Sequence, residues 1–109
     1  MALTHARELE VINVRPLGPA LTGTPTQSLL KRPGLQLMRL VLARGQHVAE
    51  HQVAGAIIVQ VLEGSVTLST PGATLAMAAG ELAVLPGGEP HALDATADAS
   101  LLVTLLGTP

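Results

Sequence analysis

At 109 residues, 48% of them hydrophobic and 13% charged, the chain is too apolar for disorder and long enough for one domain that buries roughly two-thirds of its unfolded surface. It contains no Phe, Tyr or Trp and carries a net charge of −2, so it has neither stacking platforms nor a basic surface, and nucleic acid is excluded as a partner. The absence of cysteine excludes disulfides, thiolate metal ligands and cysteine nucleophiles.

Leu, Val, Ile, Ala and Met must therefore fill the interior that aromatic side chains usually dominate. The apolar content exceeds what a lone surface needs, which points to an interface, and a homodimer is expected because so many runs of strand length are apolar on both faces. Met1 to Glu10 carries charged residues where a signal peptide needs an apolar run, and no apolar stretch reaches membrane-spanning length. A cytoplasmic location with no membrane partner is the expectation.

In chain order, Thr4 to Val11 has some helical character, with Thr4 placed to cap a short turn, but Val11-Ile12-Asn13-Val14 reads as strand. Pro16-Leu17-Gly18-Pro19 breaks the chain, and Thr22-Gly23-Thr24-Pro25-Thr26 is expected to be a flexible loop outside the core. Leu35 to Ala43, Ile57 to Leu62 and Ser100 to Leu106 are runs of strand length, rich in Leu, Val and Ile, that suit strands covered on two sides. Period-two alternation in Ser65 to Thr70 and Thr74 to Ala78, with Pro71-Gly72 between, predicts a β-hairpin. Many short strands without alternating helices predict an all-β sandwich or barrel over residues 1–109.

Two fixed spacings organise the second half. From Gly45, five residues lead to His51, one to Val53, three to Ile57 and six to Gly64. From Gly80, five residues lead to Pro86, one to Gly88, two to His91 and three to Ala95. These spacings, in this order, resemble the first and second motifs of the cupin family, at about 45–64 and 80–95. The resemblance implies a cupin-type double-stranded β-helix, a jelly-roll barrel.

In cupins the first motif usually supplies two histidines and a glutamate as metal ligands, and the second supplies one histidine. By that resemblance His51 and His91 occupy ligand positions, whereas Val53 replaces a histidine and Ile57 replaces the glutamate. Ala95 stands where the second motif commonly has Asn. A catalytic zinc or iron site generally needs three protein ligands, so two imidazoles hold a divalent ion (iron, nickel, zinc or manganese) weakly or not at all. Val53 and Ile57 instead bring branched apolar surface to the pocket and favour an apolar ligand. His47, four residues before His51, is a candidate third ligand only if the chain folds back, because that separation along a strand is ~13 Å.

His51 and His91 thus admit two readings, a vestigial metal site or a pair of neutral histidines hydrogen-bonded inside the barrel. Glu50 and Glu63 are expected to turn outward as solvated or dimer-rim residues, and Arg39 to snorkel or to join an interface salt bridge. Gln60 is expected to face away from the cavity, and Met38 and Met77 to fill gaps in the core. Asp94 and Asp98 are near enough in sequence to orient the His91 ring. No serine stands in a nucleophile context, and no phosphate-binding glycine loop is present. The function expected is a small-molecule-binding or weakly metal-binding module with a degenerate metal site. The alternative is a metal-dependent cupin enzyme, of dioxygenase or isomerase type, using His51 and His91 with a non-standard third ligand.

Overall fold

A computed structural model describes residues 6, 7 and 9–107. Among these residues nine strands follow one short 3-10 helix, Gly18–Gly23: β1 Gln27–Arg32, β2 Leu35–Leu42, β3 His47–His51, β4 Ile57–Glu63, β5 Ser65–Thr70, β6 Ala73–Ala78, β7 Leu82–Leu85, β8 His91–Ala95 and β9 Ala99–Leu106. They form a five-stranded sheet in the order β1-β2-β9-β4-β7 and a four-stranded sheet in the order β3-β8-β5-β6, with antiparallel pairing throughout. This is the all-β barrel that the strand pattern predicts, in the jelly-roll form that the cupin resemblance implies.

Alternation decides which residues enter the space between the sheets. Along β4, Ile57, Val59 and Val61 are buried while Ile58 and Gln60 are only half-buried, so Gln60 does face away from the interior. Val66 and Leu68 of β5, Met77 of β6, Leu93 of β8 and Leu101 of β9 meet them from the other strands. Each fully buried Leu or Val contributes about 1.5–3 kcal/mol relative to exposure, and aliphatic side chains alone close this core. The predicted hairpin is present with Ser65 to Thr70 paired against Ala73 to Ala78, one residue longer on its second arm.

The N-terminal segment departs from expectation. Val11 to Val14 forms no strand, and of the proposed Thr4 to Val11 turn, Thr4, His5 and Glu8 lie outside the described residues. Ile12, Val14 and Leu17 are half-buried, while Val11, Asn13 and Arg15 are exposed, so the segment lies extended as a strap with one side turned inward. Its backbone is held by side chains instead of by a neighbouring strand. Arg39 donates to the carbonyls of Arg15 (2.9 Å) and Asn13 (3.2 Å), and Glu63 accepts from the amides of Leu17 (2.7 Å) and Gly18 (3.0 Å).

Two residues therefore differ from their predicted roles. Arg39 is 3% exposed and neither snorkels nor sits at an open surface, because its guanidinium forks onto carbonyls that a ladder would otherwise satisfy. Glu63 is no solvated rim residue, since the Ser100 hydroxyl also donates to it. Burial raises its carboxyl, but the bonds from Ser100, Leu17 and Gly18, with the charge of Arg39, outweigh that and hold it below the ordinary carboxylate value. The segment Thr22 to Thr26 is also more ordered than a free loop. The 3-10 helix runs through Gly23 with Leu21 buried, and the Thr26 hydroxyl accepts from the Val41 amide at 2.8 Å.

Candidate functional site

Between the sheets, beside the aliphatic core, lies a pocket of about 200 Å³. The five-stranded sheet gives it Met38, Leu40, Ile57, Val59, Val103 and Leu105, and the four-stranded sheet gives it Val48, Leu93, His51 and His91. Val53, on the loop after β3, completes the wall. Val53 and Ile57 stand in the pocket wall, and Met38, expected to fill a gap in the core, lines the pocket instead. Met77 remains in the core.

A bulge sets the position of the histidines. Val48 pairs with Leu93 and His51 with His91, so Ala49 and Glu50 on β3 stand opposite the single residue Ala92 on β8. The extra residue reverses the alternation. Val48 and His51, three apart, both reach the pocket, while His47 falls on the opposite face. There its ring meets Asp94, its cross-strand neighbour, at 2.7 Å, with both side chains about half exposed. The irregularity lies between Val48 and His51 and not near Gly45, where a fold-back could have brought His47 to the site, and it leaves His47 turned away. Glu50 is exposed.

The turn before β8 locks the second histidine beside the first. The Gly88 amide donates to the Val53 carbonyl at 2.7 Å, joining the loop that follows His51 to the one that precedes His91. A side chain at Gly87 would meet the Ala54 carbonyl oxygen at 2.2 Å, so this approach requires glycine.

His51 and His91 consequently stand with ring centroids 4.3 Å apart and planes tilted by 58°. His91 is 3% exposed, whereas His51 is exposed at the rim. Each ring is fixed in the same way. His51 Nδ1 donates to the Ala49 carbonyl and His91 Nδ1 donates to the Glu89 carbonyl, both at 2.9 Å. A carbonyl only accepts, so the hydrogen lies on Nδ1 and the neutral ring presents the Nε2 lone pair. Asp94 and Asp98 do not orient His91, because Asp94 faces His47 and Asp98 accepts from the Arg44 amide at 2.8 Å. Backbone carbonyls two residues upstream take that role, a contact that residue types alone do not reveal.

A family profile for cupins matches residues 28–108, well over half of the chain. The chain belongs to the cupin family. No curated protein sequence matches this cupin. Among solved structures, it is similar to a conserved protein of unknown function from Streptococcus pyogenes, with 25% identity, a TM-score of 0.76, and coverage of 100% of this chain and 98% of that one. A cupin superfamily protein from Desulfitobacterium hafniense is 18% identical over 93% of this chain and 98% of its own, again with a TM-score of 0.76, which shows a shared fold. A salicylate 1,2-dioxygenase from Pseudoaminobacter salicylatoxidans is 25% identical over 84% of this chain but only 25% of its own length, with a TM-score of 0.64.

Cupins often bind metal, and the donor set decides whether these residues suit an ion. Two imidazoles converge, but Val53 and Ile57 present hydrocarbon where the family's further ligands stand. Among the described residues no group of three or more His, Cys, Asp or Glu is placed to share an ion. The residues present do not fit a catalytic divalent centre with three protein donors. Among the described residues no helix is long and apolar enough to cross a membrane.

Proposed function

We propose that this cupin is a small-molecule-binding module whose apolar pocket ends on a histidine pair and which holds a divalent ion weakly or not at all. The observation that carries the reading is the make-up of the pocket: hydrocarbon on every side except for His51 and His91. Such a lining, with a few polar groups to fix orientation, is the usual form of a ligand site. A metal-dependent enzyme built on the same pair needs a third protein donor, and among the described residues none is placed to share an ion with the rings.

Metal content tests the reading. Protein purified with and without added iron, nickel, zinc or manganese is expected to contain far less than one ion per chain by elemental analysis. Whatever weak binding occurs should disappear in His51→Ala and in His91→Ala and persist in His47→Ala, whose ring lies on the outer face. Tightly held stoichiometric metal would overturn the proposal.

The protein is further proposed to work as a homodimer paired through the outer face of the five-stranded sheet. Leu82 and Val84 on the edge strand β7 are 56% and 63% exposed, and Ile58 and Thr104 continue the row of Val84 inward across the sheet. An exposed apolar edge of this kind is a liability unless covered. Sedimentation of the wild type should give a dimer that Val84→Glu converts to monomer, and a monomeric wild type at high concentration would rule the pairing out.

A further inference from the structure

The pocket's chemistry specifies more than apolarity. We infer that its ligand is a compact hydrocarbon of about six to ten heavy atoms ending in a hydrogen-bond donor, a hydroxyl or an amine, and not in a carboxylate. This rests on the reading of the pocket as a small-molecule site. Size sets the first part, because an apolar cavity of roughly 150 Å³ stays dry and admits benzene, and this pocket holds about 200 Å³.

The polar end is set by the hydrogens already in use. Both Nδ1–H groups are spent on the carbonyls of Ala49 and Glu89, which leaves two Nε2 lone pairs. Among the described residues neither Nε2 makes a hydrogen bond, and His91 is only 3% exposed. No lysine, arginine, hydroxyl or amide side chain lines the pocket to supply a donor. A carboxylate entering here would set its own lone pairs against those of the rings and lose its water without replacement. A bare hydrocarbon would remove water from the His91 nitrogen and return nothing. A hydroxyl or amine satisfies that nitrogen while its hydrocarbon packs against the opposite, wholly apolar sheet.

The pocket thus discriminates by proton inventory. Phenol, toluene and benzoate share a ring and differ in the head group, so they separate the terms. Because the chain has no Phe, Tyr or Trp, the near-ultraviolet signal of each probe is read without protein background. Titrated into the full chain at mildly alkaline pH, where imidazole is generally neutral, phenol is expected to bind about tenfold more tightly than toluene, and benzoate more weakly than either. On binding phenol, the Nε2 nitrogen-15 resonance of His91 should shift as a hydrogen-bond acceptor's does, while toluene leaves it in place. In His91→Leu the preference for phenol should vanish with toluene still bound. Equal binding of phenol and toluene in the wild type would overturn the donor requirement and leave the apolar pocket intact, and preferential binding of benzoate would overturn it too. If none of the three binds, the reading of the pocket as a small-molecule site falls, and the inference falls with it.

Discussion

Replacing Arg39 with methionine is expected to lower the free energy of unfolding by about 3 kcal/mol, a large share of the roughly 5–15 kcal/mol that holds a domain together. Methionine preserves much of the buried hydrocarbon, so the loss isolates the guanidinium. Two strap carbonyls, on Asn13 and Arg15, lose their donor, and Glu63 loses the charge beside it. The figure is no larger because Glu63 is only half-buried and keeps its bonds from Ser100, Leu17 and Gly18, and because the Arg39 Nε already lacks a partner. Arg39→Lys should fall between, since an ammonium carries the charge without the planar fork that spans both carbonyls.

The same latch gives the stability of the protein an acid limb. Glu63 has a folded pKa held below its unfolded one. Its contribution is therefore complete above the ordinary carboxylate pKa and is lost as pH falls through the folded value. Glu63→Gln should be less stable than the wild type at neutral pH, with the gap closing on acidification. Arg39→Met should move that acid limb to higher pH. Urea unfolding followed by far-ultraviolet circular dichroism measures both effects, since the chain lacks the aromatic residues that fluorescence would need. An Arg39→Met protein within about 0.5 kcal/mol of the wild type would show that the strap is not held in this way.

How far the sequence reveals such features depends on whether a contact is local. The long strands β2, β4 and β9 and the β5-β6 hairpin are legible because apolar runs and alternation are properties of neighbouring residues. The histidine pair is legible through motif spacing, and its apolar surroundings through Val53 and Ile57. The strap is not. Val11 to Val14 has the composition of a strand, but the backbone from Asn13 to Gly18 bonds to side chains on β2 and β4, remote in sequence. Arg39 stands out in an apolar run, yet nothing local names its partners.

The β3 bulge is hidden for a related reason. Ala49 and Glu50 are both exposed, so no hydrophobic pattern marks the extra residue, and a regular strand would have set His47 on the same face as His51. One inserted residue sets His47 on the outer face while His51 turns to the pocket. The ring orientations are equally hidden, being fixed by the carbonyls of Ala49 and Glu89, which every residue type carries.

Gly64→Ala is expected to be at least as damaging as the loss of Arg39, and a second glycine separates the causes. Gly64 joins β4 to β5 with φ at +79°, a conformation that costs an L-residue about 1–2 kcal/mol. A Cβ there would also lie 2.1 Å from the Asp98 carbonyl oxygen and 2.8 Å from the Ala99 Cα, both backbone atoms that no side-chain rotation can move aside. Making room shifts the start of β9, next to the Ser100 that serves Glu63, and such forced movement adds about 1–3 kcal/mol. Gly45, the first glycine of the same motif, has φ at +86° but nothing within 4 Å of its Cβ position, so Gly45→Ala bears the backbone cost alone. Thermal unfolding should therefore place Gly45→Ala a few degrees below the wild type and Gly64→Ala lower by roughly 10–20 °C. Equal losses at the two positions would mean that the close approach of β9 is not what reserves position 64 for glycine.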